Sequence, residues 1–332
     1  PMDLPTESTP VVIHAPEAFR AACDHYVRLD SPSSSDNARR IAADRLDLLV
    51  DLGGHMAGSR PLILAYKPAP VQITHLGYHG SLGLENVDFK LTDAHADLPG
   101  NAQFLLERLL PMDGCLMPFL RRASSDHAAT RAEIGIAEDR VVFGVFVNVL
   151  KLSPRCVAAW RAILDRVGNA VLAFSPHYRW AREATVNCMA RAGIPREKLV
   201  FIASGDERDF GRWRYRLVDI VLDTFPYTGG DTTVAALDMG IPVVTLRGER
   251  QSERVSYSIL KNLGIDGTVA GSDAEYVDIA CRLADQPGLR AAAAAQIRHG
   301  LEHSNVSDMA AYARNLEQAF VDAIVLAPTQ SG

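Results

Sequence analysis

The 332-residue chain is 48% hydrophobic and 22% charged, with Lys+Arg 34 against Asp+Glu 40 and a formal charge of −6. That composition excludes a disordered or fibrous chain, and the mild acidic balance excludes a basic nucleic-acid surface and a polybasic membrane patch. The length allows two domains, each able to bury a core of its own.

In chain order, Pro1–Pro10 is polar and lacks an apolar run, so no signal peptide is expected. No apolar run approaches the length of a membrane span. Short apolar runs predict strands at Val11–His14, Leu46–Leu52, Val71–Leu76, Phe89–Thr92, Val141–Val147, Ala170–Phe174, Leu199–Ala203, Ile220–Asp223 and Val243–Leu246. Helices are predicted at Pro16–His25, Ser35–Asp44, Pro154–Val167, Arg179–Ala192 and Thr232–Met239. Most of the strands are apolar on both alternations, as parallel strands covered on both faces are. Alternating β and α elements imply doubly wound, Rossmann-like α/β domains. The polar stretch Arg121–Asp139 carries no strand and divides the elements into two series. It predicts an N-terminal lobe over 1–130, expected to be truncated, and a C-terminal lobe over 131–332 with about six strands and a helical tail. No internal repeat of the tetratricopeptide kind is present.

The five cysteines (Cys23, Cys115, Cys156, Cys188 and Cys281) are scattered and form no C-x-x-C pair. Their spacing gives no sign of a metal site, and their odd number points to a reducing compartment, the cytoplasm.

The most informative segment is "VDIVLDTFPYTGGDTTVAALDMGIPVVTLR", Val218–Arg247. A buried strand ends in Asp223-Thr224-Phe225-Pro226, a turn of small residues follows, and a helix starts. A helix N-terminus presents backbone N–H groups and a positive dipole end to an anion. Gly229 and Gly230 let backbone approach a phosphate, and Thr232 and Thr233 can donate hydroxyls to it. The same residues also read as a plain strand-to-helix turn with Asp231 or Thr232 as N-cap. In "FGVFVNVLKLSP", a strand ends near Asn148, Lys151 follows in the loop, and Ser153-Pro154 opens a helix. Lys151 thus lies at the C-terminal edge of a parallel sheet, where ligands of open α/β sheets bind, and can neutralise a diphosphate. A solvated loop lysine is the plain alternative. In the first half, Asp47, Asp51 and His55 lie around one strand end, and His75 and His79 flank another. A carboxylate or imidazole there can serve an acceptor as general base, although loop and packing roles fit each histidine equally well.

Together these segments resemble the catalytic region of glycosyltransferase family 41, the O-linked N-acetylglucosamine transferase family, which also contains bacterial cytoplasmic protein N-glucosyltransferases. The match runs in order from about residue 46 to 320. "DLLVDLGGHMAGSRPLILAYKPAPVQITHLGYHGSLG", "VVFGVFVNVLKLSP" and "RYRLVDIVLDTFPYTGGDTT" carry it.

The resemblance implies a GT-B fold, two Rossmann-like lobes facing across a cleft, with the nucleotide sugar on the C-terminal lobe. It implies metal-independent, inverting transfer of GlcNAc or a hexose to a protein side chain from a nucleotide sugar, expected to be UDP-linked, with no cofactor. It assigns Lys151 to the leaving diphosphate, Asn148 to the phosphates or sugar, and Arg214 to the neighbourhood of the nucleotide. Gly229, Gly230, Asp231, Thr232 and Thr233 form the phosphate-binding helix start. Asp51, His55 and His79 lie on the acceptor side, with His79 beside Lys151 as the catalytic candidate. The family's histidine in this turn falls on Gly230, and its ribose-binding carboxylate falls on Ala235, with Asp231 and Asp238 the nearby carboxylates. Two further readings stand beside this one: a transferase of the same fold acting on a small-molecule, glycan or lipid acceptor, and a degenerate binding subunit. A partner chain could supply acceptor recognition.

Overall fold

The computed structural model describes residues 17–121, 130–175, 179–202 and 212–327. The expected strand Val11–His14 and part of the Arg121–Asp139 stretch lie outside them. Two parallel sheets organise the chain, one of four strands and one of six.

The first sheet runs in sequence order: β1 (Leu48–Asp51), β2 (Val71–Thr74), β3 (Phe89–Thr92) and β4 (Arg108–Pro111). Two short helices precede it, α1 (Glu17–Ala21) and α2 (Ser34–Ala42). The sequence pattern predicts no strand at β4; at four residues, opened by Arg108 and closed by Pro111, it offers little periodicity. Proline is tolerated there because β4 is an edge strand. The central strands "VQIT" and "FKLT" alternate. Val71, Ile73, Phe89 and Leu91 share one apolar cluster, whereas Gln72, Thr74, Lys90 and Thr92 are buried polar residues. One face is therefore a core and the other a buried polar layer, in which the Gln72 amide nitrogen, Lys90 and Thr92 are hydrogen-bonded.

The second sheet is built from β5 (Val141–Val145), β6 (Ala170–Phe174), β7 (Leu199–Phe201), β8 (Ile220–Leu222), β9 (Val243–Leu246) and β10 (Val269–Ala270), in the order β10-β9-β8-β5-β6-β7. β10, only two residues long, is likewise absent from the sequence expectation. Successive residues face opposite sides. Phe143, Val145, Leu172 and Phe174 pack with α3 (Pro154–Arg166) and α7 (Asp273–Asp285). Val142, Val171, Ala173 and Val221 pack with α5 (Asp231–Asp238), α6 (Val255–Asn262) and α8 (Pro287–His303). α4 (Arg179–Arg191) joins the first of these layers through Met189. Burial on both faces is why these strands are apolar on both alternations. The chain reverses between β5 and β8, leaving a crevice at their C-terminal ends. Among the described residues no helix is long and apolar enough to cross a membrane.

The last helix, α9 (Met309–Leu326), returns to the first sheet. Ala319 and Ala323 sit in the cluster with Val71, Ile73 and Phe89. Asn315 Nδ2 donates to the Asp113 carbonyl (3.0 Å), and Arg108 Nη1 donates to the Leu326 carbonyl (2.9 Å). The helical tail is thus divided between the two sheets. Other links join the halves directly. The Asp93 carboxylate accepts from Leu116 N–H (2.7 Å) and from the Ser258 hydroxyl of α6. Arg254 Nε donates to the His95 carbonyl (2.9 Å).

His75, just after β2, is 5% exposed, and its Nε2 lies 2.9 Å from the Tyr312 hydroxyl of α9. With Tyr312 donating onward to the Leu116 carbonyl (3.4 Å), Nε2–H is the donor to Tyr312, and the buried Nδ1 has no partner among the described residues. Burial lowers the imidazole from 6.5 to about 4. The unfolded chain therefore takes up a proton that the folded chain refuses. This contribution to stability is whole above pH 6.5 and is lost as pH falls toward 4. The loss is on the order of 3 kcal/mol. Thermal melts across this window should fall less steeply for His75→Gln than for the parent; equal slopes would remove His75 as the cause.

Candidate functional site

Asp223 follows β8 and is 2% exposed. Its Oδ1 accepts from Thr224 N–H (2.9 Å) and Gly229 N–H (2.8 Å), and its Oδ2 accepts from the Thr245 hydroxyl of β9 (2.7 Å). One carboxylate thereby closes the loop from 224 to 229. Burial raises its pKa, and the hydrogen bonds from Thr245 and Gly229 and the Lys151 cation oppose the rise. The loop is held on its other side by Thr228, whose N–H donates to the Ser252 carbonyl (2.9 Å).

α5 starts directly after this loop. Its N-cap is Gly230, at φ −137° and ψ −88°, with no side-chain cap. The alternative of Asp231 or Thr232 as N-cap is therefore corrected. The first N–H groups of the helix are left for another acceptor. Thr232 and exposed Asp231 line a cleft at this point. Thr233 does not join that rim. It is 2% exposed, its hydroxyl is 2.7 Å from Ser256 Oγ, and Ser256 Oγ in turn donates to the Gly229 carbonyl (3.2 Å). Successive helical residues are about 100° apart, so adjacent threonines face different ways.

Gly229 has no room for a side chain. A Cβ there would lie 2.6 Å from both Thr232 Oγ1 and Thr233 Oγ1. Gly229→Ala is expected to displace the helix start and, on the phosphate-binding role that the resemblance implies for this turn, to weaken nucleotide diphosphate binding by about tenfold or more (about 1.4 kcal/mol per factor of ten). Calorimetric titration with UDP checks this, and unchanged affinity would separate the turn from the ligand.

Lys151 closes a 3-10 turn, Val149–Lys151, that Asn148 caps by accepting from Leu150 N–H (3.0 Å). Asn148 is exposed and its Oδ1 is committed to this cap, leaving Nδ2 as the donor for a ligand. Ser153 caps α3 and donates to the Phe225 carbonyl (2.6 Å), tying this loop to the Asp223 loop. Lys151 Nζ donates to the Thr228 carbonyl (2.8 Å) and stands 4.4 Å from the Tyr227 ring centroid. Burial lowers its pKa, while Asp223 and Asp231 push it back up.

A cleft of about 520 Å³ adjoins the start of α5, lined in part by Arg212, Arg214, Asp231, Thr232 and Ala235. Arg214 lies 5.1 Å from the Phe146 ring centroid, and its buried Nε has no hydrogen-bond partner among the described residues. Asp238 does not stand in for the missing ribose carboxylate: its side chain is 5% exposed and ion-paired with Arg212. Asp231 is the carboxylate that lines the cleft.

On the first sheet, Asp51 and His55 have local partners. Asp51 Oδ2 accepts from Gly54 N–H (2.7 Å). His55 Nε2 lies 3.0 Å from the Leu82 carbonyl, and its ring meets Tyr78 edge-on at 5.2 Å. His79 is the one that faces the other half, with its ring 5.9 Å from Tyr227. Burial, then the Lys90 and Lys151 cations, lowers His79 to about 4, against Asp97. Lys151 and His79 thus both approach the Tyr227 ring. Asp223 and Tyr227, which organise the loop beside Lys151, are not singled out by the sequence pattern. The Asp-Thr pair after a buried strand is the available signal for Asp223; Tyr227 has none. Among the described residues no group of three or more His, Cys, Asp or Glu is placed to hold a metal ion.

Comparison with known proteins accords with this arrangement. SPINDLY of Solanum lycopersicum, described as a probable UDP-N-acetylglucosamine–peptide N-acetylglucosaminyltransferase, is 30% identical over 295 residues, covering 84% of this chain and 30% of that protein. The SEC protein of Arabidopsis thaliana, with the same description, is 27% identical over 313 residues, 92% of this chain and 32% of that one. The chain therefore spans about a third of the length of the curated relatives it matches. A solved O-GlcNAc transferase mutant of Thermobaculum terrenum superposes with a TM-score of 0.83 at 27% identity, covering 92% of this chain and 58% of that one. The family model Glycosyl transferase family 41 matches residues 16–114 and 122–316. The two parallel sheets, the glycine-threonine turn beside Lys151 and these matches place the chain in glycosyl transferase family 41.

Proposed function

We propose that the chain is the catalytic region of an inverting glycosyltransferase that moves GlcNAc or a hexose from a UDP-sugar to a protein side chain. The observation that carries this is the Lys151 ammonium, fixed by the Thr228 carbonyl next to the uncapped start of α5 and seated over the Tyr227 ring that His79 of the first half also meets. In the transfer, an acceptor oxygen or nitrogen bonds to the anomeric carbon as the bond from that carbon to the diphosphate oxygen breaks. Negative charge develops on the diphosphate. Lys151 and the N–H groups of Asp231 and Thr232 are held in advance where that charge forms, and donors preorganised in this way are commonly the main source of rate enhancement. The protein's own cation and helix dipole fill this role, so the proposal includes no metal or cofactor. The nucleoside takes the cleft beside Arg214. His79, neutral at pH 7, accepts the hydrogen bond of the incoming group; its proton leaves to His79 or to a diphosphate oxygen. The five free thiols support a cytoplasmic setting.

A thermal-shift screen against UDP, GDP, CDP and dTDP tests the donor site, because a ligand of the folded state raises its apparent stability. A clear shift with UDP is expected, and no shift with any of the four would sink the reading. His79→Ala should lower transfer to the acceptor about 100-fold and leave the UDP shift intact. A variant with full transfer activity would remove His79 from the chemistry.

A further inference from the structure

α8 ends in His299-Gly300-Leu301-Glu302-His303. Helices hold zinc with this H-x-x-E-H spacing, because residues four apart share a face one turn above another. We propose that His299 and His303 form a two-imidazole surface site for a borderline divalent ion of the Zn²⁺ or Ni²⁺ class, which ties the last turn of α8 together. Neither residue belongs to the Lys151 loop or lines the cleft beside α5, and the proposal does not rest on the glycosyltransferase reading.

The packing of α8 turns both rings outward. Ile297 and Leu301, also four apart, are 1% and 3% exposed and share a cluster with Leu260 and Leu263. Gly300 sits so close to the Leu263 backbone that a Cβ would lie 2.5 Å from its carbonyl oxygen. These contacts fix the rotation of the helix about its own axis. His299 and His303 each follow an inward residue by two positions, about 200° around the helix. Both are exposed.

The two rings already meet, stacked with centroids 4.2 Å apart and 23° between their planes. His303 Nδ1 lies 2.9 Å from the His299 carbonyl. A carbonyl only accepts, so Nδ1–H is the donor, and Nε2 of the neutral ring keeps its lone pair for a metal. A hydrogen bond at the far nitrogen is what orients a metal-bound histidine and raises its basicity. The His299 ring makes no hydrogen bond among the described residues, so it loses none on turning toward an ion. Metal–nitrogen bonds of about 2.0–2.1 Å place two ligand nitrogens roughly 3–3.5 Å apart, a small closure from the present stack. Imidazole suits Zn²⁺, Ni²⁺ and Cu²⁺, whereas Mg²⁺ and Ca²⁺ take oxygen ligands. Exposed Arg298 and Glu302 set opposite charges beside the pair, so neither sign dominates there. Among the described residues no third His, Cys, Asp or Glu completes a ligand set. Water fills the remaining positions, and the ion is an exchangeable clip, since a catalytic zinc takes three protein ligands. The clip lies at a corner of the fold. Ser304 caps the 3-10 turn Asn305–Ser307 that follows α8, and the Ser307 hydroxyl donates back to the Leu301 carbonyl (2.5 Å). From this corner α9 sets off toward the first sheet.

The test is a calorimetric titration of the whole chain, untagged and freed of metal, with Ni²⁺, Zn²⁺ and Mg²⁺ in separate arms at neutral pH. The expected result is one Ni²⁺ or Zn²⁺ per chain at this site and no heat with Mg²⁺. His299→Ala and His303→Ala should each weaken Ni²⁺ binding by about tenfold or more, and Glu302→Gln should bind as the parent does. All three positions are exposed, so the metal-free variants should melt with the parent, which separates a lost ligand from a lost fold. Ni²⁺ binding unchanged by His299→Ala would assign the ion to other groups and overturn the site. An absence of heat with both Ni²⁺ and Zn²⁺ in the parent would overturn it too. A loss in Glu302→Gln as large as in the histidine variants would overturn the two-imidazole assignment.

Discussion

Lys151→Ala is expected to lower turnover about 100- to 1000-fold, abolish the stabilisation by UDP, and leave the melting temperature of the free protein nearly unchanged. The first two effects follow from position. Lys151 is the side-chain cation fixed against the loop that leads into α5, by its bond to the Thr228 carbonyl. A diphosphate leaving without it meets only backbone dipoles. The third effect follows from burial, which already lowers the lysine pKa; the folded protein gains little from keeping that ammonium half-desolvated when no anion is bound. Lys151→Arg should fall between the two. It keeps the charge, but its planar fork cannot reproduce a compact ammonium seated over Tyr227. Single-turnover kinetics with labelled UDP-sugar separate chemistry from binding. Activity within about threefold of the parent would mean that the leaving charge is stabilised elsewhere.

The second large effect is on stability. Asp223→Ala should destabilise the fold by about 3–5 kcal/mol and remove nucleotide binding with it. It would strand three donors at once: the N–H groups of Thr224 and Gly229 and the hydroxyl of Thr245. Asp223→Asn retains the shape and one carbonyl oxygen, and the Thr245 hydroxyl can turn to accept from the new amide. A smaller loss of about 1–2 kcal/mol is expected. Urea melts of the three proteins give the numbers. A loss under about 1 kcal/mol for Asp223→Ala would show that the Thr228–Ser252 contacts alone hold the turn.

The second half is easier to read from sequence than the first for a physical reason. Phe143, Leu172 and Ile220 are buried on one face of their sheet and Val142, Val171 and Val221 on the other, so those strands announce themselves as apolar runs. β4, opened by Arg108 and closed by Pro111, offers only two apolar residues in a row, and β10 is two residues long, so neither stands out as a run. The polar alternation of "VQIT" and "FKLT" is a record of the link between halves: Lys90 meets Gln251, 161 residues away, and no local pattern encodes that partner.

The site follows the same rule. Lys151 and the glycine turn are local features and are legible. Thr232 and Thr233 look equivalent in sequence and are separated only by helical rotation, which turns the second toward Ser256. Asp223 is visible as a residue, but its role depends on Gly229 and Thr245, brought to it by the loop and by β9.

The return of α9 to the first sheet also governs how relatives can be recombined. A single junction between β4 and β5 would graft a foreign first sheet onto this chain's own last helix, setting Ala319 and Ala323 against a core they were not shaped for. The Asn315–Asp113 and Arg108–Leu326 bonds would cross the same seam. Modular exchange of acceptor preference within the family therefore calls for two junctions, one on each side of the six-stranded sheet, with α9 travelling alongside the strands it covers.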